Sequence, residues 1–187
     1  MKANLPNALT AGRIVLILPF ALLFLSENTA ARWLALILFL AAAVTDWFDG
    51  YLARRLNQTS ALGRMLDPIA DKLLVATALF VLVATGDIGG WSIAAALAIL
   101  LREIAVSGFR EHLGPMGVIV PVTDLAKWKT TIQLVALTLL IAPRIPVVHP
   151  LGIFLLWIAA ILTLITGWSY WQATLKALKK STRPPTG

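Results

Sequence analysis

Four aspartates stand close together between apolar stretches of this chain: Asp46, Asp49, Asp67 and Asp71. The chain has only nine acidic residues, so nearly half of its negative charge lies in this one segment. Carboxylates in apolar, membrane-like surroundings are costly and are retained mainly where they have a function. Any fold of this chain must therefore supply these four side chains with cationic partners.

The composition is typical of an integral membrane protein. Of the 187 residues, 59% are hydrophobic and 13% are charged, and the mean hydropathy is +0.83. We therefore expect an all-α integral membrane protein with a single domain over residues 1–187. The absence of cysteine excludes disulfides and thiolate metal sites. The net charge of +7 favours anionic lipid headgroups, and no nucleic acid, as the charged partner.

Hydropathy predicts a bundle of six transmembrane helices. A helix needs about 20 residues to cross the hydrocarbon core of a bilayer. The candidate spans are residues 5–25, 33–53, 68–85, 88–108, 130–141 with its flanks, and 147–170.

The basic residues predict the orientation of this bundle. The first, third and fifth connections contain only Arg32 and Arg144, whereas the other Lys and Arg residues lie at the termini and in the remaining connections. The positive-inside rule then places both termini and the aspartate cluster on the cytosolic side of the cell membrane. The basic tail over residues 176–187 is expected to anchor this topology and to fray.

The spacing of the aspartates predicts two helical pairs. Asp46 and Asp49 are three residues apart and Asp67 and Asp71 are four apart, so each pair shares one helix face. A charged side chain costs about 2.5–3.5 kcal/mol at the centre of a membrane helix, so bound cations are expected. Oxygen ligands without nearby His or Cys suit Mg²⁺ or Mn²⁺, and four carboxylates can hold two such ions.

Small residues and one arginine accompany the aspartates. Gly50 and Ala53 follow Asp46 at helical spacing and leave room for a ligand near the backbone. Arg54 could hold a phosphate, and Gly63 suits a turn between the two helices. Structural alternatives remain for single positions: Asp67 before Pro68 could cap a helix, and the first pair could merely neutralise the two arginines that follow it.

Taken together, these positions resemble the motif of the CDP-alcohol phosphatidyltransferases, D-x2-D-G-x2-A-R-x8-G-x3-D-x3-D. The match comprises Asp46, Asp49, Gly50, Ala53, Arg54, Gly63, Asp67 and Asp71. The resemblance implies that an alcohol displaces CMP from a CDP-linked lipid with the help of divalent metal. It implies that the four aspartates are metal ligands and that Asp71 is also the catalytic base. It further implies that the other four positions line the CDP site, and that the protein forms a homodimer.

Segments outside the motif bear on the acceptor alcohol. Residues 4–13, 102–111 and 127–133 resemble the branch of this family that combines CDP-diacylglycerol with sn-glycerol 3-phosphate. A dianionic acceptor needs cations of its own, and the candidates are Arg102, Arg110, Lys127 and Lys129. The alternative is that these are topology charges, with each arginine paired to the glutamate beside it.

A few single residues keep two interpretations. Arg13 could reach the nucleotide or anchor the chain, and Thr45 could contact the cytosine or bond within its own helix. His112 and His149 have no partner at metal-ligand spacing, so both are expected at the surface.

Other functions are also compatible with the pattern. The same motif would serve inositol phosphate, serine or phosphatidylglycerol as acceptor. A cation transporter would need polar residues through the full membrane depth, whereas the stretch after Asp71 is apolar over residues 73–83. A purely structural scaffold would leave the aspartates unexplained.

Overall fold

The computed structural model is all-helical in the part of the chain that it describes, residues 5–26, 28–56, 61–114 and 123–181. Side chains are described over residues 10–26, 28–45, 66, 68–111, 113–114 and 123–176. The helices in these ranges are α1 (Leu5–Phe24), α2 (Thr29–Leu56), α3 (Ala61–Ala84), α4 (Ser92–Leu113), α5 (Asp124–Ile141) and α6 (Val148–Ser181).

Local signals explain several helix ends. The Thr123 side chain accepts a hydrogen bond from the backbone N–H of Ala126 and so caps the start of α5. Between α3 and α4 the backbone turns through Gly86 and Gly90, whose φ angles of 73° and 54° favour glycine. This turn delays the start of α4 to Ser92, a few residues later than the hydropathy predicts.

Three expectations from the sequence are wrong, the third in part. Asp67 does not cap a helix at Pro68, because α3 begins at Ala61 and Pro68 lies inside it. Gly63 lies in the first turn of α3 and not in the turn between the helices. The first half of the basic tail is helical, since α6 continues to Ser181 through Ala, Leu and Lys, which favour helix, and residues 182–187 lie outside the described range.

The helices pack in two connected groups. α1 lies against α2 and α3, α6 lies along both α5 and α4, and contacts of α3 with α4 and of α2 with α5 join the groups. Phe20 of α1 and Phe39 of α2 meet with ring centroids 5.8 Å apart. Leu82 of α3 and Leu137 of α5 are fully buried in the same core. The core is thus one continuous apolar cluster that all six helices share.

The outside of the bundle is also apolar. Phe80 and Phe154 are 72% and 61% exposed, and many other large apolar side chains face outward. Helices that are apolar on all sides are typical of a membrane setting. Two helical stretches, Ser92–Glu111 and Val148–Lys176, are long and apolar enough to cross a membrane, with mean hydropathies of 1.7 and 2.3. The apolar stretches Thr10–Phe24 and Thr29–Thr45 are shorter.

A buried carboxylate ties together the end of the bundle where α3 meets α4. Asp87 accepts hydrogen bonds from Arg32 (2.7 Å), Arg144 (2.9 Å) and the Thr85 hydroxyl (2.6 Å). Burial alone would raise the pKa of the Asp87 carboxyl, but the bonds from the two arginines and Thr85 outweigh it and lower that pKa below its usual value. Arg32 also donates to the carbonyls of Leu140 and Ile141, so it joins α2 to the end of α5.

Gly152 offers a test of the packing between α5 and α6. A Cβ atom at this position would stand 2.9 Å from Cγ and Cδ2 of Leu140, which is fully buried. We expect Gly152→Ala to lower the free energy of unfolding by about 1–3 kcal/mol through overpacking. The readout is the melting temperature in detergent. Gly108→Ala is the matched control, because a Cβ there meets nothing within 4 Å. An equal effect of both substitutions would contradict the packing.

Candidate active site

Two adjacent helices carry the aspartate pairs at the same end of the bundle. α2 ends at Leu56 and α3 begins at Ala61, and the two helices pack against each other. The backbone of α2 contains Asp46 and Asp49, and that of α3 contains Asp67 and Asp71. Asp71 is the one aspartate of this group whose side chain the structure describes. The side chains of Asp46, Asp49, Gly50, Ala53, Arg54, Gly63 and Asp67 lie outside the described residues.

Asp71 is exposed and lines a cavity of about 320 Å³ between α3 and α4. Beside Asp71, Lys72 turns back along its own helix, and its Nζ donates to the carbonyl of Pro68 at 2.7 Å. The opposite wall is one face of α4. The lining residues are Pro68, Asp71, Lys72, Arg102, Glu103, Val106, Ser107, Arg110 and Glu111.

Glu103 organises the charges behind this cavity. Its Oε1 accepts from Nζ of Lys129 on α5 and lies 3.5 Å from Nη1 of Arg102. Lys129 is only 2% exposed, so its charge depends on this carboxylate. Asp71 is also near enough to interact electrostatically with the Lys129 ammonium group. The charged groups that line the cavity and the ion pair behind it therefore interact electrostatically.

The two arginines of the cavity are held by α6. Arg102 Nη2 donates to the Thr166 hydroxyl at 3.3 Å, while its buried Nε has no hydrogen-bond partner among the described residues. Arg110 Nε donates to the Tyr170 hydroxyl at 2.9 Å, and its guanidinium carbon lies 5.2 Å from the centre of that ring. The positions of both cations are thus fixed before any ligand binds.

The predicted acceptor residues are not all at the cavity. Arg102 and Arg110 line it, and Lys129 lies directly behind it. Lys127 is on an exposed part of α5, where its Nζ pairs with the Asp124 carboxylate at 2.9 Å. The alternative that Arg102 pairs with Glu103 is confirmed, whereas Arg110 bonds to the Tyr170 hydroxyl.

The remaining single-residue expectations have mixed outcomes. The Thr45 hydroxyl donates to the Ala41 carbonyl at 2.6 Å, within its own helix. Arg13 is buried, with 1% of the residue exposed. His149 is half-buried instead of lying at the surface, because its Nε2 is 2.9 Å from the Asp87 carbonyl oxygen. The side chain of His112 lies outside the described residues.

The donor chemistry of the site fits hard divalent cations. Among the described side chains no group of three or more His, Cys, Asp or Glu residues forms a metal site. Asp71 is described, however, and it presents a carboxylate to the cavity one turn from the position of Asp67. Carboxylate oxygens in a setting without thiols are the ligands that Mg²⁺ and Mn²⁺ prefer.

Sequence reasoning did not identify the supporting residues of α4 and α6. Glu103 appears in the sequence only as a neighbour of Arg102, and nothing there indicates that it pairs with Lys129, 26 residues away. Thr166 and Tyr170 lie four residues apart, and each contacts one cavity arginine. That helical spacing of polar side chains in an apolar stretch was the available signal.

Comparison with known proteins agrees with these features. A family model described as CDP-alcohol phosphatidyltransferase matches residues 3–165. Three similar proteins are each named CDP-diacylglycerol–glycerol-3-phosphate 3-phosphatidyltransferase. They come from Rickettsia bellii (45% identical, 92% of this chain and 96% of the relative), Cereibacter sphaeroides (39%, 96% and 99%) and Bacillus subtilis (38%, 95% and 98%).

The buried ion pair behind the cavity can be tested by removing its carboxylate. We expect Glu103→Gln to destabilise the fold by about 3 kcal/mol, because it leaves the Lys129 ammonium buried and unpaired. The measurement is the melting temperature in detergent, which should fall by about 6–12 °C for a chain of this size. Combining the change with Lys129→Met should restore part of the loss.

The matched control for this experiment is the exposed pair on α5. Asp124→Asn removes a carboxylate that is 89% exposed and bonded to Lys127, so the melting temperature should not change measurably. If Glu103→Gln also left the melting temperature unchanged, the ion pair would not stabilise the structure around the site.

Proposed function

The chain belongs to the CDP-alcohol phosphatidyltransferase family, and from that membership we propose that it transfers the phosphatidyl group of CDP-diacylglycerol to sn-glycerol 3-phosphate. The products are phosphatidylglycerophosphate and CMP, in phospholipid biosynthesis. The observation that carries the proposal is the match, over nearly the full chain, to relatives that bear the name of this activity. The cavity supports it, because a carboxylate and two arginines stand there side by side.

The proposed setting is a cell membrane that all six helices cross, with both termini and the aspartate pairs on the cytosolic side. Apolar side chains on the outside of the helices support this arrangement. So does the distribution of Lys and Arg, which are scarce in the first, third and fifth connections. A water-soluble acceptor would then reach the cavity from the cytosol, while the lipid substrate would enter from the bilayer.

The proposed reaction is a direct displacement at phosphorus. Asp71 accepts the proton of the free primary hydroxyl of the acceptor as that oxygen bonds to the lipid-side phosphorus. The bond from this phosphorus to the CMP oxygen breaks, and CMP leaves with the electron pair. Two Mg²⁺ or Mn²⁺ ions held by Asp46, Asp49, Asp67 and Asp71 would neutralise the diphosphate and stabilise the leaving group.

The nucleotide and the acceptor would be held by different helices. We assign the CDP group to the motif positions on α2 and α3, namely Gly50, Ala53, Arg54 and Gly63. We assign the acceptor phosphate to Arg102 and Arg110, because both line the cavity beside Asp71 and an arginine can bind phosphate through two N–H groups. Lys129 adds positive charge from behind, and Lys127 is the outlying member of the set predicted from the sequence. A homodimer is the proposed assembly.

Asp71→Asn tests the assignment of the base. Loss of a general base lowers the rate by about 10²–10⁴-fold, so CMP release by purified protein with Mg²⁺ or Mn²⁺ should fall by that factor. The control Asp124→Asn also neutralises one carboxylate, but at an exposed position on α5. Near-normal CMP release by Asp71→Asn would rule out Asp71 as the base.

Arg110→Gln tests the acceptor site. Loss of a charge-assisted hydrogen bond costs about 1.5–3 kcal/mol, so the KM for sn-glycerol 3-phosphate should rise by about 10–100-fold. The KM for CDP-diacylglycerol should stay close to the wild-type value. Lys176→Gln is the charge-matched control, because this lysine is exposed on α6.

An acceptor panel completes this test. Wild-type protein should release CMP with sn-glycerol 3-phosphate, and much more slowly with inositol phosphate, serine or phosphatidylglycerol. Activity with inositol phosphate but not with glycerol 3-phosphate would show that the proposed acceptor is wrong. The proposed type of reaction would not be affected.

A further inference from the structure

A second polar site lies at the end of the bundle opposite Asp71. It surrounds Asp87, whose buried carboxylate receives both Arg32 and Arg144. Along α3, Asp71 and Ala84 are separated by 13 residues, or about 20 Å of helix at 1.5 Å per residue. The proposed reaction uses none of these residues, so their arrangement needs a separate explanation.

Among the described side chains of this cluster, positive charge exceeds negative charge. One carboxylate, Asp87, faces two guanidinium groups, and no other described carboxylate lies within 4 Å of either. Glu27, in the same connection as Arg32, lies outside the described residues. Arg32 and Arg144 are also the two basic residues in connections that the positive-inside rule keeps poor in positive charge.

Each arginine also has hydrogen-bonding capacity left over. Arg32 uses Nε and Nη2 for Asp87 and for carbonyls at the end of α5. Arg144 uses Nε for Asp87 and Nη2 for the Thr85 carbonyl. Among the described residues no acceptor is bonded to Nη1 of either side chain. Neither Nη1 is among the buried polar atoms that lack a hydrogen-bond partner. A guanidinium has five N–H donors, so each can still donate to a ligand.

Both arginines line one cavity of about 630 Å³. That volume is in the range of small-molecule and headgroup sites. Hydroxyl groups of Ser26 and Thr29 and apolar groups complete the wall. The lining residues are Phe24, Leu25, Ser26, Thr29, Arg32, Ala84, Thr85, Pro143 and Arg144.

We propose that this cavity binds a phosphate group of net negative charge, carried by an anionic phospholipid. Nη1 of Arg32 and Nη1 of Arg144 can each donate to an oxygen of one phosphate group. The apolar part of the wall favours a lipid over free phosphate, since it can contact the glycerol and first acyl carbons. Arg32 is anchored by Asp87 and α5, whereas Arg144 is 59% exposed and forms the accessible side of the site.

The test measures the melting temperature of the full chain in detergent micelles with three additives. Phosphatidylglycerol should raise it in a saturable way, while phosphatidylcholine and inorganic phosphate should raise it much less. Arg144→Gln should weaken the apparent affinity for phosphatidylglycerol by about tenfold, the effect of losing one charge-assisted contact. Arg144→Lys keeps the charge but has fewer N–H donors, so its apparent affinity for phosphatidylglycerol should lie between those of the wild type and Arg144→Gln.

Two controls separate this site from other effects. Lys176→Gln removes an exposed cation elsewhere and should keep the full response to phosphatidylglycerol. CMP release by Arg144→Gln should match that of the wild type, which verifies the fold and separates this proposal from the catalytic one. An unchanged response of Arg144→Gln to phosphatidylglycerol would overturn the site. An equal, Arg144-dependent response to inorganic phosphate would overturn the lipid as its source.

Discussion

A carboxylate buried among apolar helices must lie beside cations, and this bundle meets that condition near each of its ends. Glu103 lies between Arg102 and Lys129, and Asp87 lies between Arg32 and Arg144. In lipid, apolar surface attracts neighbouring helices only weakly, so polar contacts and close packing determine which helices meet. Glu103 joins α4 to α5. Asp87 joins the connection after α3 to α2 and to the segment after α5. The ion pair of Glu103 with Lys129 thus links α4 and α5, which both pack on α6 and make little contact with each other.

Charged side chains of both signs line the cavity beside Asp71. Among the described residues these are Asp71, Glu103, Glu111, Lys72, Arg102 and Arg110. In the proposed site, an anionic acceptor would receive directed hydrogen bonds from the two arginines. Arg102 has a buried Nε without a partner among the described residues, and Arg110 is held by Tyr170. Both are positioned in advance, which lowers the entropy cost of binding a phosphate.

Much of the fold could be predicted from the sequence, because its apolar stretches have the periodicity and the length of helices. The number and order of the helices in the described residues agree with the predicted spans. The errors fall where tertiary structure overrides a local rule. A proline preceded by Asp often marks a helix start, yet α3 begins at Ala61 and passes through Pro68. His149 is held by the carbonyl of Asp87, a contact across 62 residues that no local pattern contains.

In the site, too, local sequence patterns predict one part, whereas the other part depends on contacts between residues far apart in the sequence. The eight-position motif lies on two consecutive helices with short spacing, so sequence alone could place it at one end of the bundle. In the proposed reaction these positions serve the diphosphate that every CDP-linked substrate shares. Arg102 and Arg110 of the cavity come from α4, and their partners on α6, Thr166 and Tyr170, are 64 and 60 residues away. In the proposed site, acceptor choice depends on the second group of helices, and the motif alone cannot identify the alcohol. A chain could keep the shared chemistry of α2 and α3 and change its acceptor through the side chains that α6 holds against α4.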